Sequence, residues 1–286
     1  MSALPNDSTA APLETILAGV KDVAVLPQVV FKIMEGTSST DTSANELERN
    51  IIIDPGFSAK VLSMANSAYF ALPRRITSIK DAVQFLGFKT VRQIAMNAGV
   101  FDLFVGKTDR ESMRRRTWWR HSLDTANCGR WIAGHYASLP PEEAYTAGLL
   151  HLIGKTILDR SNSEQYNLVE TGIAQGIPDF AVEKHLFGCS HVEVTVGVCG
   201  QWGLPTDLLH GVEYSEPTAP DFGPSVRACV AVAHCIAGLA TAGKPADVDM
   251  RSLFPDWAVE SLNIADNLEQ WVDSGIAAIA AANRAG

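Results

Sequence analysis

Apolar residues recur at helical spacing along most of this chain. Within residues 29–34, 57–65 and 91–101, apolar side chains fall three or four positions apart, which places them on one face of a helix. No series of segments alternates apolar with polar residues and is rich in β-branched side chains, as the strands of a half-buried sheet would be. The sequence therefore predicts an all-α fold.

Turn signals outline a pair of helices in the first half of the chain. Ser78, followed three residues later by an aspartate, is a capping-box variant, Gly87 closes the helix that it opens, and Thr90 can cap the next helix. We expect the two helices to pack antiparallel within an N-terminal lobe. A helix, a glycine turn and a second helix are also the outline of a helix-turn-helix, so a DNA-binding regulator is an alternative. In that case Arg92 and Asn97 would face outward.

The composition is that of an ordinary globular protein. Of its 286 residues, 47% are hydrophobic and 19% are charged, so the chain can bury a proper core and is not mainly disordered. The formal net charge of −9 disfavours a general nucleic-acid binder or a basic membrane-surface protein. We therefore expect neither nucleic acid nor a membrane as its partner.

The cysteine content and the apolar stretches both favour a cytoplasmic protein. Five cysteines without a C-x-x-C pair are typical of reduced, buried thiols in a cytoplasmic protein. Residues 228–243, the longest uncharged apolar stretch, are shorter than a bilayer span and contain a histidine, which predicts a core helix. Residues 1–12 lack the apolar region of a signal peptide.

A charged, glycine-containing stretch at residues 106–116 separates two helical halves. We divide the chain into a polar tail or linker at residues 1–12, an N-terminal lobe at residues 13–106, and a second lobe with C-terminal helices at residues 107–286. The stretch and its continuation carry a basic run that is either a solvated helix face or a patch for an anionic partner: Arg114, Arg115, Arg116 and Arg120.

All seven histidines lie in the second lobe. Taken singly, each would most simply be a partly buried polar residue of a helix. Three of them stand in an informative context. His121 follows a Trp-Arg pair, His151 ends the segment Gly-Leu-Leu-His, and His191 precedes Val-Glu-Val, with Trp-Gly-Leu-Pro soon after.

Together with several earlier segments in the same order, these motifs resemble the HDOD family, the signalling relatives of the HD phosphohydrolases. The resemblance runs from about Leu26 to Pro217. Besides the three histidine segments, it rests on Leu26-Pro27, Ile53-Asp54-Pro55, the run at residues 61–70, the helix at residues 79–83 with Leu86-Gly87, and Trp202-Gly203-Leu204-Pro205.

The resemblance implies an all-α fold of two lobes, the second of them similar to an HD hydrolase. It also implies a domain placed downstream of a receiver or another sensory domain in bacterial signal transduction. The expected function is thus a regulatory output through protein–protein contacts, in a two-component or cyclic-dinucleotide pathway. The expected partner is a signalling protein or an upstream receiver or sensor domain.

The resemblance also assigns the positions of a metal site. HD hydrolases bind divalent metal through a histidine, an adjacent histidine–aspartate pair and a late aspartate, and the metal activates water to attack a phosphate ester. The two histidines correspond to His121 and His151. The paired aspartate, however, is Leu152, and the late aspartate aligns with His234.

Two further family positions complete this vestigial site. His191 is retained, whereas the histidine pair that many members carry before Glu-Pro is Tyr214-Ser215. Because leucine cannot bind a metal, we expect no catalysis, no cofactor and no metal, with His121 and His151 as the first candidates should one bind.

Imidazoles without a carboxylate can nevertheless hold zinc, so a weak metal-dependent phosphohydrolase is the alternative. In either case His121 and His151 should face one interior pocket. Leu152 should fill part of the space of the lost carboxylate, and His234 is the third histidine that can join the pocket.

Overall fold

A computed structural model describes residues 13–20, 30–32, 44–67, 70, 72, 74–106, 108–215, 221, 223–246 and 248–284. These residues form helices and connecting turns, with no strand among them, which confirms the predicted all-α fold. The proposed tail at residues 1–12 lies outside the described ranges. Within those ranges, none of the helices combines the length and the apolar character that a membrane crossing requires.

The first part of the chain contributes short helices and one longer helix. They are α1 (Leu13–Val20), α2 (Ala44–Ile52), α3 (Pro55–Ala65), α4 (Ile79–Leu86) and α5 (Phe88–Phe101), followed by a 3-10 turn at Asp102–Phe104.

The second part contains the longest helix and the elements that pack around it. They are α6 (Asp109–Ala133), α7 (Pro141–Leu150), α8 (Ile153–Ser161), α9 (Ser163–Ala174), α10 (Asp179–Phe187), α11 (His191–Gln201), α12 (Thr206–Val212), α13 (Val226–Ala242), α14 (Asp256–Ser261) and α15 (Leu268–Arg284). Helix α6 is central, since α7, α13 and α15 all pack against it.

The hairpin of α4 and α5 forms at the predicted place with one correction. The Ser78 hydroxyl accepts a hydrogen bond from the Asp81 amide at 3.0 Å, and Gly87, at a φ of 82°, ends α4. Helix α5 then begins at Phe88, so the prediction that Thr90 caps it was wrong. Gly87 adopts a backbone conformation that other residues avoid, which allows the next helix to start without a separate capping loop.

The polar side chains of α5 are engaged inside the protein. Tyr145 on α7 donates a hydrogen bond to Asn97 at 2.8 Å and accepts one from Gln93 at 3.2 Å. Gln93 also accepts a hydrogen bond from Arg130 at 2.9 Å. Gln93 and Asn97, two polar side chains that a recognition helix could offer to base edges, therefore hold α5 against the second lobe, which weakens the DNA-binding alternative.

A buried ion cluster lies where the two parts of the chain meet. Arg114 and Arg115 on α6 both form ion pairs with Asp159 on α8, and all three side chains are buried. Arg115 also donates a hydrogen bond to the carbonyl of Val105 at 3.0 Å. Arg114 and Arg115 therefore do not belong to a surface patch, which corrects that part of the predicted basic face.

Helix α1 belongs to the first part of the sequence but packs against helices of the second part. Its neighbours are α8 and α11 of the second part. A Cβ atom at Gly197 on α11 would come within 2.6 Å of the Leu17 side chain, so the absence of one there makes room for α1. The buried apolar residues of both parts also join in one continuous core.

Candidate functional site

Three histidines from different parts of the second lobe meet in one pocket. His121 lies on α6, His151 directly follows α7, and His234 lies on α13. The Nδ1 atom of His234 is 2.9 Å from Nε2 of His121 and 3.0 Å from Nε2 of His151. The expectation that His121 and His151 face one pocket is confirmed, and His234 joins them.

Two glycines hold His151 in this pocket by letting helices approach closely. A Cβ atom at Gly148 would lie 2.8 Å from the Cα atom of Ala126, so α7 touches the backbone of α6. A Cβ atom at Gly154 would lie 1.9 Å from the carbonyl oxygen of His191, so α8 touches the start of α11. Neither approach is open to a residue with a side chain.

The protonation of His151 follows from its hydrogen bond to the backbone. Its Nδ1 atom lies 2.6 Å from the carbonyl oxygen of Gly148. Because a carbonyl only accepts, Nδ1 must carry the proton, and Nε2 of the neutral ring presents its lone pair to the pocket. A backbone partner of this kind commonly orients a metal-binding histidine.

Burial lowers the pKa of all three imidazoles. The pKa of His121 falls to about 4, first because of burial and then because of the positive charge of Lys155. Burial and the neighbouring imidazoles also hold the pKa values of His151 and His234 well below 6.5. The three rings are therefore neutral at pH 7.

A second layer of polar groups surrounds the cluster. His191 donates from Nδ1 to Glu183 at 2.6 Å, and its Nε2 atom forms a hydrogen bond with the hydroxyl of Tyr214 at 2.9 Å. The Tyr214 ring packs against His151 and His234, with ring centroids 5.0 and 4.8 Å away. His191 and Tyr214 therefore form a second layer of side chains around the cluster. Ser215, the next residue in the chain, is half-buried.

The carboxylates near the cluster have other partners. Glu183 accepts from His191 and from Tyr166, Asp179 is paired with Lys155, and Asp124 accepts from Asn283 at 3.0 Å. Sequence reasoning did not single out these acids, because none stands in a histidine motif. Lys155 lies four residues after His151, but no pattern in the sequence marks it as part of the site.

Leu152, which the resemblance aligns with the paired aspartate, is 2% exposed. Within the described part of the chain, the only group of three or more potential metal ligands consists of His121, His151 and His234, whose ligand atoms lie within 4.8 Å of one another. This set of three imidazoles does not fit the carboxylate-containing centre of an HD hydrolase, which needs negative ligands to offset and bridge its ions.

A groove of about 1190 Å³ leads from the surface to His121. Its walls come from α6, α13 and α15 and include Arg116, Arg120 and Asn283. Arg116 and Arg120 are exposed, unlike the two preceding arginines, so they are the part of the predicted basic patch that reaches solvent. The groove gives small molecules or ions a route to His121.

Comparisons with solved structures give the same fold. The chain is similar to an HDOD domain protein of unknown function from Geobacter sulfurreducens, with 26% identity, a TM-score of 0.69 and coverage of 93% of this chain and 98% of that one. It is also similar to a Shewanella amazonensis SB2B protein provisionally described as a phosphohydrolase, with 22% identity, a TM-score of 0.70 and coverage of 95% and 98%.

A third solved structure is a Marinobacter aquaeolei VT8 protein provisionally described as a signal transduction protein. The identity is 20% and the TM-score 0.68, and the match covers 98% of this chain and 62% of that one. The chain is also 22% identical over 248 residues to an uncharacterized protein of Treponema pallidum. That match covers 85% of this chain and 47% of the relative, so the chain spans about half the length of the curated protein it matches.

A family model places the sequence directly. The model described as the HDOD domain matches residues 23–217, nearly the range over which the sequence motifs indicated the resemblance. The match covers more than half of the chain, and the structural neighbour from Geobacter sulfurreducens carries the same description. The chain therefore belongs to the HDOD family.

Proposed function

We propose that this HDOD chain is a non-catalytic, cytoplasmic signalling domain that regulates a partner through protein–protein contacts. Its pathway is a bacterial two-component or cyclic-dinucleotide system, and its partner is a signalling protein or an upstream receiver or sensor domain. The description of the Marinobacter aquaeolei protein as a signal transduction protein supports this class of function.

The observation that carries the proposal is the side chain beside His151. In an HD hydrolase an acid at this position offsets the charge of the metal, whereas Leu152 is apolar and buried. His234, the replacement at the late position, is a neutral ligand and cannot bridge two ions as a carboxylate does. Among the residues that the structure describes, the ligand cluster therefore contains none of the carboxylates with which a hydrolase holds and tunes its metal-bound water.

The rim of the groove offers a contact face for an acidic partner. Arg116 and Arg120 are four residues apart on α6, so they point to the same side of the helix. Met113, one turn earlier, is 72% exposed, which is high for an apolar side chain. A methionine beside two arginines is typical of adaptable protein interfaces.

An assay of phosphoester hydrolysis tests the absence of catalysis. Purified protein supplied with manganese, iron or magnesium should not hydrolyse cyclic dinucleotides, nucleotides or generic phosphodiesters faster than buffer. His151→Ala serves as the control for contaminating activity. Turnover by the unchanged chain that His151→Ala abolishes would establish the alternative, a metal-dependent phosphohydrolase with a degenerate site.

A binding experiment tests the contact face. Proteins captured from native lysate are identified by mass spectrometry, and the purified partner is then titrated against Arg116→Glu/Arg120→Glu. We expect at least a tenfold loss of affinity. The matched control reverses two exposed charges on the hairpin, Lys80→Glu/Lys89→Glu, and should bind normally. Salt-dependent binding of duplex DNA that this control abolishes would instead support the DNA-binding alternative.

A further inference from the structure

The contacts of His234 pose a problem of proton placement. Its Nδ1 atom faces the Nε2 atoms of both His121 and His151, at 2.9 and 3.0 Å. An imidazole nitrogen has a single direction for either a proton or a lone pair. At most one of the two contacts can therefore be a well-aligned hydrogen bond.

Neither tautomer of His234 removes the problem. Nε2 of His151 presents a lone pair, because its Nδ1 proton is committed to the Gly148 carbonyl. If His234 Nδ1 carries a proton, that proton serves His151, and His121 must share it or oppose it with a proton of its own. If His234 Nδ1 carries a lone pair, it faces the lone pair of His151 at 3.0 Å. A shared proton gives only a weak three-centre bond, and opposed protons or opposed lone pairs are unfavourable in a buried contact.

A cation between the three nitrogens resolves both cases, since all three lone pairs then point at it. Zinc binds imidazole nitrogen at about 2.0–2.1 Å, and two ligands of a tetrahedral ion then lie about 3.3 Å apart. The two observed separations from His234, 2.9 and 3.0 Å, need to widen by only a few tenths of an ångström, and the ligand atoms of all three histidines lie within 4.8 Å of one another. The hydrogen bond from His151 to Gly148 already supplies the outer-shell partner that orients such a ligand.

We propose that His121, His151 and His234 form a mononuclear site for a borderline divalent metal ion, of the class of Zn²⁺, Co²⁺, Ni²⁺ or Cu²⁺. The replacement of the late aspartate by histidine decides this preference. Imidazole ligands favour these ions, whereas Mg²⁺, Ca²⁺ and Mn²⁺ favour oxygen. A second ion is excluded because the ligand set has no carboxylate to bridge two charges.

The fourth position of the ion would face the groove beside His121. Three neutral ligands leave the full double charge of the ion uncompensated, and Lys155 lies close enough to affect the cluster electrostatically. Arg116 and Arg120 line the same groove. The open position therefore suits water or a small anion. Metal binding here is independent of the proposed signalling function and of any hydrolytic activity.

Cobalt binding tests the proposal without an activity assay. The full chain, freed of metal with a chelator, is titrated with Co²⁺ while the visible d–d absorption is recorded, and the metal content is then measured. We expect one Co²⁺ per chain, with the strong absorption of a four- or five-coordinate ion, and displacement by one equivalent of Zn²⁺. Excess Mg²⁺ or Mn²⁺ should leave the spectrum unchanged.

Variants assign the ligands. His234→Ala and His121→Ala should each weaken Co²⁺ binding more than tenfold, whereas His210→Ala, at an exposed histidine of α12, should bind like the unchanged chain. Circular dichroism checks that the variants are folded, and the use of two cluster variants guards against a loss of fold in one of them. Absence of Co²⁺ uptake, displacement by Mg²⁺, or uptake that only His210→Ala reduces would each overturn the proposal.

Discussion

The Nδ1 atom of His234 lies 2.9 Å from the Nε2 atom of His121, although 113 residues separate them in the chain. The contact exists because α13 packs along α6, with small residues on the facing sides. The resemblance aligns His234 and Leu152 with two acids of the HD hydrolases. We propose that these two exchanges distinguish this pocket from a hydrolase centre.

Restoring the paired aspartate should not restore a hydrolase. Leu152→Asp places a carboxylate at a position that is 2% exposed, and the late position would still carry His234. We expect no gain in phosphodiester hydrolysis and a loss of about 2–4 kcal/mol in the free energy of unfolding, measured with urea. Leu152→Met, which keeps the volume and polarity, should cost less than about 1.5 kcal/mol. A hydrolytic Leu152→Asp variant would contradict the prediction.

Gly154→Ala should be strongly destabilising. The added methyl group would lie 1.9 Å from the carbonyl oxygen of His191, and two backbones cannot separate without opening the packing of α8 and α11. We expect a loss of about 3 kcal/mol, the upper end of typical overpacking costs, by chemical denaturation. The control is Gly200→Ala on α11, where a methyl group meets nothing within 4 Å and should be neutral or mildly stabilising. Equal stabilities of the two variants would refute this packing.

Removing the acid of the buried ion cluster should cost far more than removing an exposed one. Asp159→Ala leaves Arg114 and Arg115 buried without their shared counter-charge, for which we expect a loss of about 3–5 kcal/mol. Asp102→Asn affects an ion pair with Lys60 whose side chains are 46% and 39% exposed, and should cost less than about 1 kcal/mol. Thermal or urea unfolding compares the two, and similar losses would contradict the buried role of Asp159.

The cysteines should resist thiol reagents in the folded protein. Burial raises the pKa of Cys199, Cys229 and Cys235 to about 12 and that of Cys189 to about 11, and burial likewise raises the pKa of Cys128. Because the thiolate is the reactive form, an aromatic disulfide reagent at pH 8 should label them slowly in the native state. Denaturation should expose all five. Rapid native labelling of more than one thiol would count against this burial.

The helical class and the family were accessible from the sequence, because both are written in local patterns. The 3.6-residue spacing of apolar side chains predicts helices wherever one face is buried, and the capping role of Ser78 depends only on residues three positions away. The predicted substitution at Leu152 also depends on a local pattern, since it needs only the neighbouring histidine as a reference. The exact start of a helix was harder to predict, since α5 begins at Phe88, directly after Gly87, and not after a cap at Thr90.

The tertiary structure alone decided which distant groups meet. The sequence presents Arg114, Arg115 and Arg116 as one basic run, but helix geometry turns the first two toward Asp159 and leaves the third in the groove. Glu183 and its bond to His191 have no local signal. The convergence of His234 with His121 and His151 likewise depends on how α6, α7 and α13 pack, because side chains from separate helices share a pocket only after the backbones have approached each other.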